Sequence, residues 1–480
     1  MIFNSYDFVV FFVIVFVLYW FVFHKTKKSQ NILLLLSSLL FYGWADWRFL
    51  GILVFNILFN YFLAKKIHNA DKEKRKQSIL WIGIVVNIGI LGYYKYFDFF
   101  YENLLHIFGS GSSFTALNLL IPLGISFFTF QSLGYIIDVF YEEIEPYNDL
   151  LLFSTYMAFF PKLLSGPIEK AQLFIPQITA KRQFDYSLIA DGLRQILWGL
   201  FAKIVIAENC AVIVNPIFEN YENEAGSTLL LGSFFYMIQL YADFSGYSNM
   251  AIGVSKLLGI RLSKNFATPF FSLNISEFWR GWHMTLTNWM MDYIFTPLSF
   301  ILRSYKKIGL IIAVVVTFLI VGLWHGANWT YIVFGLVHGL YFIPVIFMGT
   351  AVKTASNVVA KNSFFPSLSE ILKMLVLLLQ VMLASVFFRA ESVYKAIAYL
   401  GGIFNGSLVQ LPYTIINGRN ALIVMLICFF MLIEWINRAR SHDLDIAQKP
   451  LFIRWFLYIF IFILLLFAGR AAETFIYFQF

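Results

Sequence analysis

Long apolar runs, parted by short polar or charged links, recur from one end of the chain to the other. Each comes close to the ~20 residues that a helix needs to cross a bilayer. The first expected span is Phe8 to Phe23. Ile32 to Leu63 is a second apolar stretch, interrupted at Gly43-Trp-Ala-Asp46-Trp-Arg48 and flanked at both ends by basic residues, which predicts a helical hairpin. A span from about Ile79 to Tyr93 follows. Later spans are expected at about Gly309–Leu323, Trp329–Met348, Ile371–Phe388, Ala421–Ile436 and Trp455–Phe467. With the interrupted runs between them, roughly ten to twelve crossings are expected. The loop from Lys65 to Lys76 holds six Lys or Arg and marks the inner face. Lys25, Lys27 and Lys28 come after the first span, which puts the N-terminus outside and argues against a cleavable leader.

Several runs are broken in ways that plain spans are not. Ile121-Pro-Leu-Gly-Ile-Ser-Phe-Phe-Thr-Phe-Gln131 reads as a kinked transmembrane helix or as a pocket wall. Phe159-Phe-Pro-Lys-Leu-Leu-Ser-Gly166-Pro167 cannot be one straight helix, and broken backbone at membrane depth must be buried in protein or line water. A re-entrant or interfacial segment is therefore expected, followed by an inner-face stretch with Lys170, Lys181, Arg182 and Arg194. Lys203 and Glu208, five apart, are poorly spaced to pair on an α-helix and read as snorkelling to an edge. The patch Gln239-Leu-Tyr-Ala-Asp243-Phe-Ser245-Gly246-Tyr247-Ser248-Asn249 is either helix–helix glue or a pocket wall.

Composition sharpens this picture. At 60% apolar and 13% charged, with a mean hydropathy of +0.74, the chain is an all-α polytopic integral membrane protein. No separate soluble domain or repeat is visible, so residues 1–480 read as one membrane domain with an active-site core at about 120–340. The net charge of +8 sits in links between apolar runs; it is topological and speaks against nucleic acid as a partner. Cys210 and Cys428 lie in apolar surroundings and are expected to be reduced thiols.

Three of the seven histidines fall between Asn274 and Gly339, in strongly apolar sequence. An ionisable residue in such sequence is a functional candidate by default, and imidazole suits acid–base work near neutrality. At ~100° per residue His283, Thr287 and Met291 share a helical face with Trp279. Glu277 and Arg280 are spaced to pair, and Asp292 lies one turn beyond Asn288. Gly322, Gly326 and Asn328 are expected to loosen or end a helix around His325. In a continuous helix His338 would lie ~220° away from His325, which excludes a His-x3-His metal pair. His338, beside Gly339, fits a hydrogen-bonded packing role as well as a direct one. His24, His68, His106 and His442 lie near loops or span ends and are expected to be solvated. No Gly-x-Ser-x-Gly, Ser-x-x-Lys or phosphate-cradling glycine loop is present, which disfavours a serine enzyme or a nucleotide-driven pump.

The blocks Phe278-Trp-Arg-Gly-Trp-His283-Met-Thr-Leu-Thr and Gly322-Leu-Trp-His325-Gly-Ala-Asn328-Trp resemble those of the membrane-bound O-acyltransferases. The likeness is to the bacterial branch of alginate O-acetyltransferase and teichoic acid D-alanyl transferase. The Ile121 and Phe159 blocks, Phe387-Phe-Arg389-Ala390-Glu391 and the tail Glu473–Phe480 resemble the same branch. The histidine blocks lie 42 residues apart. The resemblance implies a bundle of helices around a central funnel or tunnel, with His325 as the catalytic residue and His283 assisting it. Trp324, Asn328, Asn288, Trp282, Arg280, Asp292, Asp243 and Ser245 are the candidate substrate-binding residues. It also implies a cytoplasmic thioester donor, acetyl-CoA or a carrier-protein thioester, as co-substrate, with no permanently bound cofactor and no metal. The acyl group would pass to a secreted or membrane-anchored SGNH-type partner that modifies a polysaccharide, at the bacterial cytoplasmic membrane. The residues themselves point to general-base acyl transfer, with His283, Asn288 or the Trp324 indole as oxyanion donors. The competing reading is a transporter of an acyl or glycan precursor, which intramembrane polar groups and broken helices also describe.

Overall fold

The computed structural model describes residues 1–108, 116–349, 358–361, 363–412 and 418–470. The tail from Glu473 lies outside the described residues. Contacts divide the chain into two compact units, residues 1–193 with 251–263, and residues 194–250 with 264–480. Among the described residues there is no strand. Within those same residues, seven helices are long and apolar enough to cross a membrane, and four shorter apolar helices accompany them. The protein is a multi-pass, all-helical membrane protein.

The first unit opens with α1 (Tyr6–Val17), α2 (Lys27–Ala45) and α3 (Leu50–His68). The expected interruption falls at Asp46, whose extended backbone ends α2 and whose carboxylate caps the short turn at Trp47–Phe49. Next come α4 (Glu73–Leu91) and α5 (Phe97–Phe108), joined through a π-helical turn at Gly92–Tyr96. This run is longer than the span expected at Ile79–Tyr93, because Tyr93 to Phe108 stays helical although it carries Lys95, Asp98 and Glu102. Exposed faces are apolar at helical spacing, as with Val9, Val10 and Val13 on α1. The buried faces carry amides instead. Asn56 donates to Asn87 at 2.8 Å, Asn87 to Asn60 at 2.9 Å, and Ser132 to Asn56 at 2.7 Å. Such bonds replace the hydrophobic drive that lipid cannot supply between helices.

The Ile121 block is not a kinked helix: α6 (Ile125–Phe140) begins after Gly124, which sits in the left-handed region at φ 75°. A Cβ there would meet the Leu163 carbonyl oxygen at 2.4 Å, so Pro122 and Gly124 serve the helix start rather than its interior. Just beyond α6, Glu142 accepts from Lys76 at 2.7 Å, and the ammonium draws this exposed carboxyl below its ordinary value. The Phe159 block is broken as expected, into α7 (Leu150–Ala158) and α8 (Phe160–Leu163), and residues 154–169 are all buried. Lys162 lies within it, hydrogen-bonded to Gln131 and 4.6 Å from the centre of the Tyr156 ring. Then come α9 (Ala171–Thr179) and α10 (Tyr186–Leu200). Arg182 lies between them. It is buried, donating to Tyr19 and Asn31 at 2.7 Å each and to the Ala180 carbonyl at 3.0 Å.

The second unit contains the end of α10, α11 (Glu208–Glu219) and most of α12 (Gly226–Leu257). Three short helices follow, α13 (Ile275–Gly281), α14 (Met284–Met290) and α15 (Thr296–Ile301). A hairpin of long helices comes next, α16 (Lys306–His325) and α17 (Trp329–Phe347), then α18 (Leu368–Arg389). The amphipathic α19 (Val393–Ile403), not anticipated from the apolar runs, precedes α20 (Gly418–Asn437) and α21 (Leu451–Phe467). Small residues seat α16 on α17: a Cβ on Gly322 would meet the Tyr331 carbonyl oxygen at 2.2 Å, and one on Gly335 that of Phe318 at 2.2 Å.

Lys203 and Glu208 do pair, contrary to the α-helical spacing argument. Phe201–Ala207 is a π-helix, whose i→i+5 register brings residues five apart onto one face. Lys203 lies 3.4 Å from Glu208 and 2.5 Å from Asp243, with all three buried. Desolvated charges of this kind are costly unless they are paired, so snorkelling is excluded. His442, expected to be solvated, is buried as well. Glu391 pairs with Lys395 at 2.5 Å rather than with Arg389, which donates to Asn215 at 3.2 Å.

Candidate active site

The second unit places the two histidine blocks together around one indole. α16 ends at His325 as expected, Gly326 is extended, and Asn328 starts α17 by accepting from the Thr330 N–H at 3.0 Å. Only glycine fits at 326, since a Cβ there would lie 2.3 Å from the Tyr331 ring. The chain is therefore not a continuous helix from His325 to His338, and the angular separation derived from one does not apply. His325 is buried at the end of its helix, its ring centre 4.9 Å from Phe388, 5.0 Å from Trp324 and 6.0 Å from Phe334.

His283 does not share a helical face with Trp279. Trp282 is extended and His283 is left-handed at φ 42°, so the helix breaks between α13 and α14. A non-glycine residue in that region is uncommon and persists where its surroundings over-determine it. Asn265 is that surrounding. Its backbone carbonyl accepts from the Met284 N–H at 2.8 Å. Its side-chain oxygen accepts from the Thr285 N–H at 3.3 Å and hydroxyl at 2.9 Å, and its amide donates to Ser248 on α12 at 3.0 Å. The Thr285 N–H can only donate, which fixes that amide atom as oxygen. His283 Nδ1, 3.1 Å from the same oxygen, therefore carries the proton, and Nε2 holds the lone pair. A neutral ring held so has no Nε2–H to offer an oxyanion. The Trp324 ring stands beside both histidines, 5.6 Å from His283 and 5.0 Å from His325.

The other expected site residues divide. Trp282 is buried, stacked on Phe278 at 5.4 Å, and Ser245 is buried on α12. Asp243 is buried in the ion cluster with Lys203. Asn328 is a capping residue that also donates to the Glu391 carbonyl at 3.1 Å. Arg280, Asn288 and Asp292 are exposed. The Glu277 carboxylate accepts from the Leu273 N–H at 2.9 Å and from Asn274 at 2.8 Å, so it serves the start of α13. His338 is buried and accepts from the Trp279 indole at 3.3 Å.

Asn265 and Glu434 escaped the sequence reading. Asn265 lies in an unremarkable loop, with no motif to mark it. Glu434, buried on α20, accepts from Tyr241 on α12 at 2.8 Å. A lone carboxylate in an apolar run was a usable signal for it.

A model of the membrane-bound O-acyltransferase family matches residues 139–367, which include both histidine blocks. A peptidoglycan O-acetyltransferase of Helicobacter pylori is 34% identical over 406 residues, covering 79% of this chain and 74% of its own length. A probable alginate O-acetylase of Pseudomonas aeruginosa is 33% identical over 394 residues, with 80% and 72% covered. A teichoic acid D-alanyltransferase of Bacillus subtilis is 34% identical over a shorter 221 residues, 44% of this chain and 55% of its own. With two histidines gathered at one indole and relatives that match over most of both chains, this protein belongs to the membrane-bound O-acyltransferase family and is a multi-pass membrane acyltransferase.

Proposed function

We propose that the protein moves an acetyl group from a cytoplasmic thioester to a hydroxyl on the outer side, for O-acetylation of an extracytoplasmic polysaccharide, with His325 as general base. The observation that carries this reading is the placement of His325 at a helix end, buried against Trp324 and two phenylalanine rings. The names of the longest-matching relatives favour acetyl as the group transferred and a cell-surface polymer as the final acceptor. Acetyl-CoA or a carrier-protein thioester is the donor, since both are cytoplasmic and too polar to cross the bilayer. An SGNH-type partner outside completes delivery to the polymer, and the setting is the bacterial cytoplasmic membrane.

A neutral imidazole nitrogen of His325 takes the proton as the acceptor oxygen attacks the thioester carbonyl carbon. The tetrahedral oxyanion forms beside the Trp324 indole, with its N–H as the donor, since the His283 Nδ1–H is directed to Asn265. The carbon–sulfur bond then breaks, and the leaving thiolate takes the proton from the imidazolium. His283, tied to Asn265, packs beside Trp324 and so positions it. A base placed in this way contributes about 10²–10⁴-fold. Radiolabelled acetyl-CoA supplied to proteoliposomes tests the reading. Transfer to acceptor by the wild type and its loss in an inserted, folded His325→Ala variant are expected. Full transfer by that variant rejects His325 as the base, and a scaffold or transporter would be equally indifferent to it.

A further inference from the structure

The helical run that begins with α4 is too long for the bilayer it crosses. From Ile79 to Phe108 it measures about 45 Å at 1.5 Å per residue, against a hydrocarbon layer of about 30 Å. Keeping all of it inside that layer would need a tilt of about 50°, beyond the 0–40° of membrane helices. The π-helical turn at Gly92–Tyr96 marks where the layer ends. Its far end lies about 25 Å from Ile79, and Tyr93, Tyr94 and Tyr96 around Lys95 have the make-up of an interfacial belt. α5 therefore starts at headgroup level, in the leaflet opposite the Lys65–Lys76 loop.

The two helices of this run differ in what they bury. α4 packs one face: Asn87 bonds to Asn60 on α3 at 2.9 Å, and a Cβ on Gly83 would meet Leu63 and Ile136. No residue of α5 is buried. At ~100° per residue its exposed Phe97, Phe100, Leu104, Ile107 and Phe108 fall within an arc of about 100°, and Asp98, Glu102 and His106 fall on a separate one. A helix of 12 residues is marginal in water by itself, so α5 draws stability from what covers its apolar arc. That arc follows directly on the exposed Trp81, Val85 and Ile88 of α4, which lie within the span and face lipid.

We propose that α5 is an interfacial helix, its apolar arc seated in the lipid of that leaflet and its acidic arc turned to water. No Lys or Arg lies on α5, so apolar contact holds it rather than attraction to anionic headgroups. Asp98 gives the seat a consequence for the fold. Its carboxylate accepts from the N–H groups of Leu117 and Asn118 at 3.0 and 3.1 Å, so the depth of α5 fixes the chain that leads to Gly124 and the start of α6. The seat is independent of the transfer chemistry.

Spin labels measure that depth. Glu102→Cys, Leu104→Cys and Ile107→Cys are each labelled in the full chain carrying Cys428→Ala, since Cys210 is buried. The nanodiscs are of neutral phosphatidylcholine, and then of the same lipid with anionic phosphatidylglycerol. Accessibility to oxygen and to a neutral nickel chelate gives the depth of each label, and thermal midpoints at the unlabelled value show that the variants are folded. The labels at positions 104 and 107 should lie about 5–10 Å into the headgroup–acyl boundary, open to oxygen and shielded from nickel, with the label at position 102 open to nickel. Both lipids should give the same pattern. Nickel access at positions 104 and 107 equal to that at 102 would put the arc in water, where only a protein could cover it, and would overturn the proposal. Shielding from both reagents would put the arc against protein and do the same, as would shielding that appears only with anionic lipid.

Discussion

His325 and His283 lie beside one indole, yet one ends a regular helix and the other breaks one. His283 is tied by polar contacts: a left-handed backbone, an amide oxygen at Nδ1, and a second-layer bond from Asn265 to Ser248. His325 ends a regular helix, among the rings of Trp324, Phe334 and Phe388. A ring whose tautomer is set by its neighbours is suited to positioning. On the proposed reading His325 is the base and His283 the positioning residue, although both are histidines with tryptophan neighbours.

The largest expected effect tests that assignment directly. His325→Ala should lower acetyl transfer by about 10²–10⁴-fold. His283→Asn should cost less, because asparagine tolerates the left-handed region and can keep the turn. Initial rates in proteoliposomes, with thermal midpoints to confirm folding, make the comparison. Equal losses in two folded variants would erase the distinction between the histidines.

Trp324→Phe comes next. It preserves the ring between the histidines and removes the indole N–H. If that N–H meets the oxyanion, kcat should fall by about 10²–10³-fold. A fall confined to KM would reduce Trp324 to a spacer, and the oxyanion donor would have to be sought elsewhere.

Asn265→Ala attacks the tether of His283. It strips the acceptor from the Thr285 N–H, the Thr285 hydroxyl and His283 Nδ1 together. A buried donor left without its acceptor costs about 1–3 kcal/mol, so at least that much stability should be lost. The loss should appear in the thermal midpoint in detergent, with activity falling as the turn loosens. A variant as stable as the wild type would mean that the left-handed turn is fixed by its flanking helices instead.

These residues also show what the sequence could and could not convey. The spans were legible because lipid forces apolar runs, and α16, α17, α18 and α20 lie close to where those runs put them. The end of a helix at His325 was legible from Gly326 and Asn328. What failed was phase. One left-handed residue at His283 broke the helical wheel that had put His283, Thr287 and Met291 on one face with Trp279. One π-helical turn brought Lys203 and Glu208 together where 3.6 residues per turn had parted them. Asn265 was invisible for a different reason. Its role lies in contacts to residues 17 and more positions away, and no local pattern encodes them.

The smallest effect belongs to the third histidine. His338 accepts from the Trp279 indole at 3.3 Å, which leaves its Nε2 as the protonated nitrogen, and it packs on Phe334, the ring that also borders His325. Its hydrogen bond joins α13 to α17, so its task is to hold the frame. His338→Leu should strand the buried indole N–H and cost about 1–3 kcal/mol, with acetyl transfer within a few-fold of wild type. Trp279→Phe added to it removes the stranded donor and should recover most of that loss, since deleting both partners of a buried bond is close to neutral. Thermal midpoints of the two single variants and the double variant, read beside their transfer rates, complete the cycle. A stable His338→Leu protein without activity would move this histidine from the frame into the chemistry, and polar tethering could then no longer be taken as the mark of a positioning role.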